Sequence, residues 1–242
     1  PDPKRRRRII HDVPDDGGFL QKAVLDKVDQ MWLTDEGNID YEPEAGTSVG
    51  ALARARGVPA MQLILDQLTA HDGNGMLYAP FFNYAYGDLS MTYEATRHPH
   101  TRMGLSDAGA HCGAICDGGT PTFMLTHWTR DRTRGPKLDL PYVVHRQTRQ
   151  TALLYGLSDR GLVAPGLRAD LNVIDYDRLS LARPVVAHDL PAGGRRLMQK
   201  ANGYVATIVA GAVTYRDGEP TGALPGRLLR GAGAQRNAMA AG

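Results

Sequence analysis

Hydrophobic and polar positions follow helical spacing after residue 47. Ser48 suits the N-cap of a helix that ends near Gly57, and Pro59 suits the first turn of a second helix over residues 60–70. The apolar residues of this second helix fall on one face: Met61, Ile64, Leu65 and Leu68. The pattern therefore predicts two consecutive amphipathic helices.

Two strand-like runs follow, one from Met76 to Phe82 and one from Thr101 to Asp107. Asp88 to Ser90 predicts the start of a helix that continues to Arg97 and separates the two runs. Helix and strand thus alternate as they do in parallel α/β units. The predicted fold class is α/β.

A longer helix is predicted from Pro141 to Tyr155, with an inward face made of Val143, Val144, Thr148, Ala152 and Leu153. After Gly156 the pattern changes to short apolar runs between turns. We therefore divide the chain into residues 1–156 and residues 157–242.

The second part reads as β-structure. Residues 169–176 predict a short strand, and the apolar runs 204–210 and 213–215 predict a β-hairpin around the turn at Gly211.

Composition narrows the classes of function. The 242 residues are 42% hydrophobic, and 28 basic residues nearly balance 26 acidic ones, so the charge does not indicate a nucleic-acid partner. The basic block Lys4–Arg8 is interpreted as a solvated face, with a nucleic-acid or localisation patch as the alternative. No apolar run approaches the roughly 18–20 residues that span a bilayer, which argues against a membrane partner.

The cysteines Cys112 and Cys116 are too few for a disulfide framework, and together with the lack of a signal-peptide pattern they predict a cytoplasmic protein. Pro1 in place of an initiating methionine fits a processed chain or the C-terminal portion of a longer one.

Asp107 is the main candidate for chemistry. It ends a predicted strand, and Ala108, Gly109 and Ala110 separate it from His111. In barrel enzymes catalytic groups lie at this end of a strand, and small neighbours let a ligand approach closely. The alternative is a turn-forming aspartate before Gly109.

Three further residues are candidates for substrate binding. His111 could bind a substrate carboxylate or orient Asp107, and it could also be a histidine held only by loop backbone. Asn83 and Tyr84 follow the preceding strand and could line the same pocket or form a strand-end turn. His98 and His100 form an H-x-H motif but precede the strand, so we interpret them as exposed loop residues.

The run G-L-S-D-A-G-A-H over residues 104–111 resembles the last barrel strand of the metal-dependent amidohydrolases. The resemblance extends over roughly residues 18 to 230. Its other runs include R-H-P-H-T, L-S-D-R-G-L-V-A-P-G-L-R-A-D-L and T-G-A-L-P-G-R, which together resemble the D-aminoacylase (N-acyl-D-amino-acid deacylase) branch.

This resemblance implies the last units of a (β/α)8 barrel followed by strands of a small β-sandwich. It implies a zinc-dependent enzyme in which Asp107 transfers protons and contacts the metal, while the other metal ligands belong to barrel strands absent from this chain. The implied partners are an N-acylated small molecule, the missing N-terminal part of the same protein, and a second copy in a homo-oligomer. The alternatives are a hydantoinase- or dihydroorotase-like hydrolase of cyclic amides and a non-catalytic scaffold.

Overall fold

The computed structural model describes residues 2–11, 26–34, 39–80, 82–104, 106, 108–109, 112–114 and 117–229. They belong to two compact units, Pro1–Arg97 and His98–Gly242. Helices and strands occur together, which agrees with the α/β class. The predicted domain boundary at residue 156 stays a prediction.

Among the described residues, the α-helices of the first unit are α1 (Pro3–His11), α2 (Val49–Arg56), α3 (Ala60–Gly73) and α4 (Ser90–Arg97). The predicted start and end of α2 are confirmed. The Ser48 hydroxyl accepts a hydrogen bond from the Ala51 N–H at 3.2 Å, and Gly57 ends the helix with φ of 65°. Local capping chemistry therefore defines this helix.

The core of the first unit lies where α2 packs on α3. Ile64 is buried as predicted, whereas Leu68 is exposed. The buried stripe of α3 is formed by Leu63 and Ile64. The core cluster consists of Met31, Val49, Ala53, Leu63 and Ile64.

Two short strands pair in this unit, β1 (Trp32–Leu33) and β2 (Leu77–Tyr78). The pair is antiparallel, with Trp32 opposite Tyr78. It is therefore not one of the parallel α/β units that the sequence predicts in this region. The predicted strand from Met76 to Phe82 is also too long. Phe82 lies in a bend and is exposed, because the chain turns away from the sheet after β2.

The predicted strand from Thr101 to Asp107 is not seen in the described residues. Residues 101–104 and Ser106 have no strand pairing, while Leu105 and Asp107 lie outside the described residues. An apolar run does not itself provide the partner strand that pairing needs.

The second unit contains α5 (Thr120–Thr126), which continues into a π-helical turn at His127–Asp131. It also contains α6 (Leu140–His145), a π-helical turn at Arg146–Gln150, and α7 (Thr151–Leu154), which together form the predicted long helix. Its predicted inward face is only partly right. Val143 and Ala152 are buried, but Val144, Thr148 and Leu153 are exposed.

The π-helical turn at Arg146–Gln150 accounts for Thr148 and Leu153, because a wider turn changes the phase of the residues within and after it, whereas Val144 precedes it. Arg146 takes a buried position that the pattern had assigned to the polar side.

The remaining strands lie in small antiparallel sheets. They are β3 (Leu171–Ile174), β4 (Ser180–Leu181), β5 (Val185–Leu190), β6 (Gly194–Met198), β7 (Ala201–Asn202), β8 (Tyr204–Val209), β9 (Ala212–Arg216) and β10 (Glu219–Pro220). The order β10-β9-β8-β3 forms one sheet, and β4 pairs with β7 and β5 with β6.

The predicted hairpin of β8 and β9 is confirmed. Its turn residues Ala210 and Gly211 have φ of 51° and 82°, which is the backbone of a tight hairpin turn. Within the described part of the chain, no helix has the length and apolarity needed to span a bilayer.

Candidate active site

The two principal site candidates, Asp107 and His111, lie outside the described residues. The described residues on either side of them make several contacts. On the N-terminal side, the buried Arg146 donates a hydrogen bond to the Thr101 hydroxyl at 2.9 Å. The backbone N–H of Thr101 donates to the carbonyl of His98 at 3.2 Å. A charged side chain therefore anchors the start of the Asp107 segment.

On the C-terminal side, the loop is attached to the β-strands. The carbonyl of Cys112 accepts a hydrogen bond from the Leu197 N–H of β6 at 2.8 Å. A Cβ on Gly119 would lie 2.7 Å from a methyl of Leu181 in β4, so glycine permits this close approach. Cys112 is a half-buried free thiol, and Cys116 lies outside the described residues.

Helix α5 and its π-helical turn connect this loop to the strands through threonine hydroxyls. Thr122 Oγ1 lies 2.9 Å from the Tyr204 hydroxyl, and Thr129 Oγ1 lies 2.6 Å from that of Tyr176. The spacing of the threonines is a sequence signal for these contacts. Thr122, Thr126 and Thr129 recur at helical spacing, so they share one face of the helix.

Tyr84 is a core residue of the first unit, with 4% of its surface exposed. Its hydroxyl donates to the carbonyl of Pro43 at 2.7 Å, and its ring packs edge-on against Trp32 at 5.6 Å. These contacts give Tyr84 a packing role in the first unit. A substrate-binding role for it stays a prediction.

Asn83 is exposed, and its backbone has φ of 63°. This left-handed conformation is uncommon for a residue with a side chain, although asparagine tolerates it better than most. The side chain is thus presented to solvent. Its predicted role in substrate binding is untested.

The H-x-H pair lies as the sequence indicated. His98 and His100 are exposed, and their rings lie 5.5 Å apart. His127 stacks on Phe123 at 4.6 Å, which makes it a packing residue, and His145 is exposed on its helix.

Within the described residues, no group of three or more His, Cys, Asp or Glu side chains is placed to hold a metal ion. The described side chains therefore do not themselves fit the zinc that the resemblance implies. Asp107 is the candidate ligand in this chain, and it lies outside the described residues.

Several ion pairs of the second unit shift pKa values. A hydrogen bond from Arg160 lowers the pKa of Asp159, and one from Arg196 lowers the pKa of Asp189. Asp170 receives hydrogen bonds from Arg160 at 2.8 Å, from Arg168 at 2.9 Å and from the Ala210 N–H at 2.8 Å. These residues of the D-R-G and R-A-D motifs join a loop to the β8–β9 turn, so they stabilise the fold.

The chain was compared with known proteins and protein families. No match was found among curated proteins or among solved structures. A model of the amidohydrolase family matches residues 21–215. This range includes the Asp107 segment and extends into both compact units. The chain therefore belongs to the amidohydrolase family.

Proposed function

We propose that the protein is a metal-dependent amidohydrolase that hydrolyses the amide bond of N-acyl-D-amino acids or similar acylated amines. The family match over residues 21–215 carries the hydrolase assignment. The runs G-L-S-D-A-G-A-H and T-G-A-L-P-G-R, which resemble the D-aminoacylase branch, support the choice of substrate.

Asp107 is the proposed general base and general acid. Its carboxylate accepts a proton from water as the water oxygen attacks the carbonyl carbon of the amide. The C–N bond then breaks, and the same proton passes to the leaving nitrogen. The products are a carboxylic acid and a free amine. A carboxylate suits this role, because it can accept the proton and later return it.

Zinc is the proposed metal, with Asp107 as the ligand from this chain and further ligands from polypeptide outside the 242 residues. A bound divalent ion lowers the pKa of its water to about 7 in favourable sites. His111 and Asn83 are the proposed substrate-binding residues, each through a polar side chain able to contact a carboxylate or an amide.

The architecture proposed for the intact enzyme is a (β/α)8 barrel followed by a small β-sandwich. The helices and strands of the first unit and the start of the second would belong to the last barrel units, and the strands after residue 157 to the sandwich. A cytoplasmic location and a homo-oligomeric assembly belong to the same proposal.

A substrate panel tests the proposal. The intact enzyme, assayed before and after chelation of its metal, would be given matched N-acetyl-D- and N-acetyl-L-amino acids together with a hydantoin. We expect turnover of the D-substrates, loss of turnover on chelation, and recovery with zinc. Faster hydrolysis of the hydantoin would favour the cyclic-amide alternative. No hydrolysis of any of the three by the zinc-loaded protein would favour a non-catalytic scaffold.

A further inference from the structure

Glu42 is a buried carboxylate that the proposed chemistry does not use. Only 2% of its surface is exposed, although it lies in the polar stretch Asp40–Glu44. Burial of a carboxylate is costly unless its oxygens are hydrogen-bonded. Its Oε1 accepts a hydrogen bond from the backbone N–H of Leu89 at 2.9 Å.

The bond to Leu89 fixes the end of a loop. Residues 82–89, which we name the 82–89 loop, connect the β2 region to α4. The carbonyl of Leu89 accepts a hydrogen bond from Tyr93 at 2.9 Å, so Leu89 lies at the start of α4. A carboxylate in this position also interacts favourably with the positive end of the helix.

A second contact fixes the middle of the loop. The hydroxyl of Tyr84 donates to the carbonyl of Pro43, the residue next to Glu42. The loop is thus attached twice to the same short segment, once through Tyr84 and once through Leu89. Segment 42–43 is itself positioned by a hydrogen bond from the Glu42 N–H to Asp40 at 2.9 Å.

The outward side of the loop carries the candidate substrate contact. Asn83 is exposed in the left-handed conformation, and its neighbours Phe82 and Tyr86 are 85% and 74% exposed. Most of the surface of these two aromatic side chains is therefore in solvent. Anchoring contacts of the loop come instead from Tyr84 and Glu42. Unusual backbone conformations persist where surrounding contacts hold them, and they are frequent at ligand sites.

We infer that Glu42 is a positioning residue that holds the 82–89 loop in the conformation in which Asn83 contacts the substrate. The inference rests on the proposed function, since it concerns binding of the same N-acylated substrate. Glu42 acts through the loop backbone and does not itself contact the substrate.

The test compares Glu42→Ala, Glu42→Gln and Ser48→Ala in the intact enzyme. Glutamine retains an oxygen that can accept the Leu89 N–H, whereas alanine does not. Ser48→Ala is the matched control, because it removes another buried polar side chain of the same unit, one that caps α2. Two readouts are measured: hydrogen exchange of the 82–89 loop, and kcat and KM for an N-acetyl-D-amino acid.

Glu42→Ala is expected to speed exchange of the loop at least tenfold and to raise KM about tenfold with kcat changed less than twofold. Glu42→Gln should restore both values to within about threefold of wild type. Ser48→Ala should leave loop exchange and KM unchanged even where it lowers the unfolding temperature.

Equal loop exchange in Glu42→Ala and Ser48→Ala would overturn the inference. Faster exchange with an unchanged KM would also overturn it, because the loop would then be held for stability alone. Absence of turnover in the wild-type enzyme would instead refute the proposed function. In that case the exchange comparison would still decide whether Glu42 holds the loop.

Discussion

At the scale of single residues, the arginine–aspartate ion pairs of the second unit show how a single side-chain contact stabilises local structure. Arg196 binds Asp189 with two hydrogen bonds, at 2.8 and 2.7 Å, between β5 and β6. The hydrogen bond from Arg196 lowers the pKa of Asp189 in the folded protein. Because both groups are near solvent, the stabilisation is small and depends on salt.

The lowered pKa predicts a specific pH dependence. The ionised carboxylate contributes stability above its unfolded pKa of about 4, and this contribution is lost as the pH falls through the lower folded pKa. Asp189→Asn should therefore lower the unfolding temperature at pH 7, and the difference from wild type should shrink as the pH falls from about 4 towards 2. A difference that is constant with pH would contradict the assignment.

Residue type alone selected the site candidates but could not identify the buried charges. Asp107, His111, Asn83 and Tyr84 are candidates because polar groups that follow predicted strands are typical of active sites. Glu42 and Arg146 were missed, because a charged residue in a polar stretch predicts a solvated side chain. Their burial depends on the distant partners Leu89 and Thr101, which local sequence does not reveal.

At the scale of elements, the sequence predicted helix caps and hairpins correctly but did not predict which distant strands pair. The cap of α2 at Ser48 and the β8–β9 hairpin were predictable because neighbouring residues determine them. The pairing of β1 with β2 was not, since it joins Trp32 to Tyr78 across intervening helices. The face of the 140–154 helix was also mispredicted from residue 146 onwards, because a π-helical turn begins there and changes the phase.

The turn between β7 and β8 gives a test at this scale. Gly203 has φ of 91°, and a Cβ there would lie 2.7 Å from Leu179 Cα and 2.9 Å from the Asp175 carbonyl oxygen. Gly203→Ala should therefore lower the free energy of unfolding by about 2–4 kcal/mol, from a left-handed backbone and a backbone clash together. The loss would be measured by urea unfolding.

Gly211→Ala is the matched control for this substitution. Gly211 has φ of 82° but open space around the position of a Cβ. It should lose only about 1–2 kcal/mol, the cost of the left-handed conformation. Equal losses at the two positions would show that the contact with Leu179 does not determine the need for glycine at 203.

At the scale of the whole molecule, the match to one family model extends into two compact units. The amidohydrolase match covers residues 21–215, while the units divide between Arg97 and His98. The sequence resemblance predicted this family from short runs around Asp107 and near the C-terminal end. The substrate could not be predicted with the same strength, because one fold supports many chemistries.

Turnover of the Asp107→Asn variant is the most direct test of the account. Asparagine has nearly the same shape but cannot accept and return a proton, so kcat of the intact enzyme should fall by about 10²–10⁴-fold with an unchanged unfolding temperature. Asp217→Asn, the control at an exposed turn, should retain wild-type activity. Near-normal turnover in Asp107→Asn would contradict the central claim that this carboxylate moves the proton during amide hydrolysis.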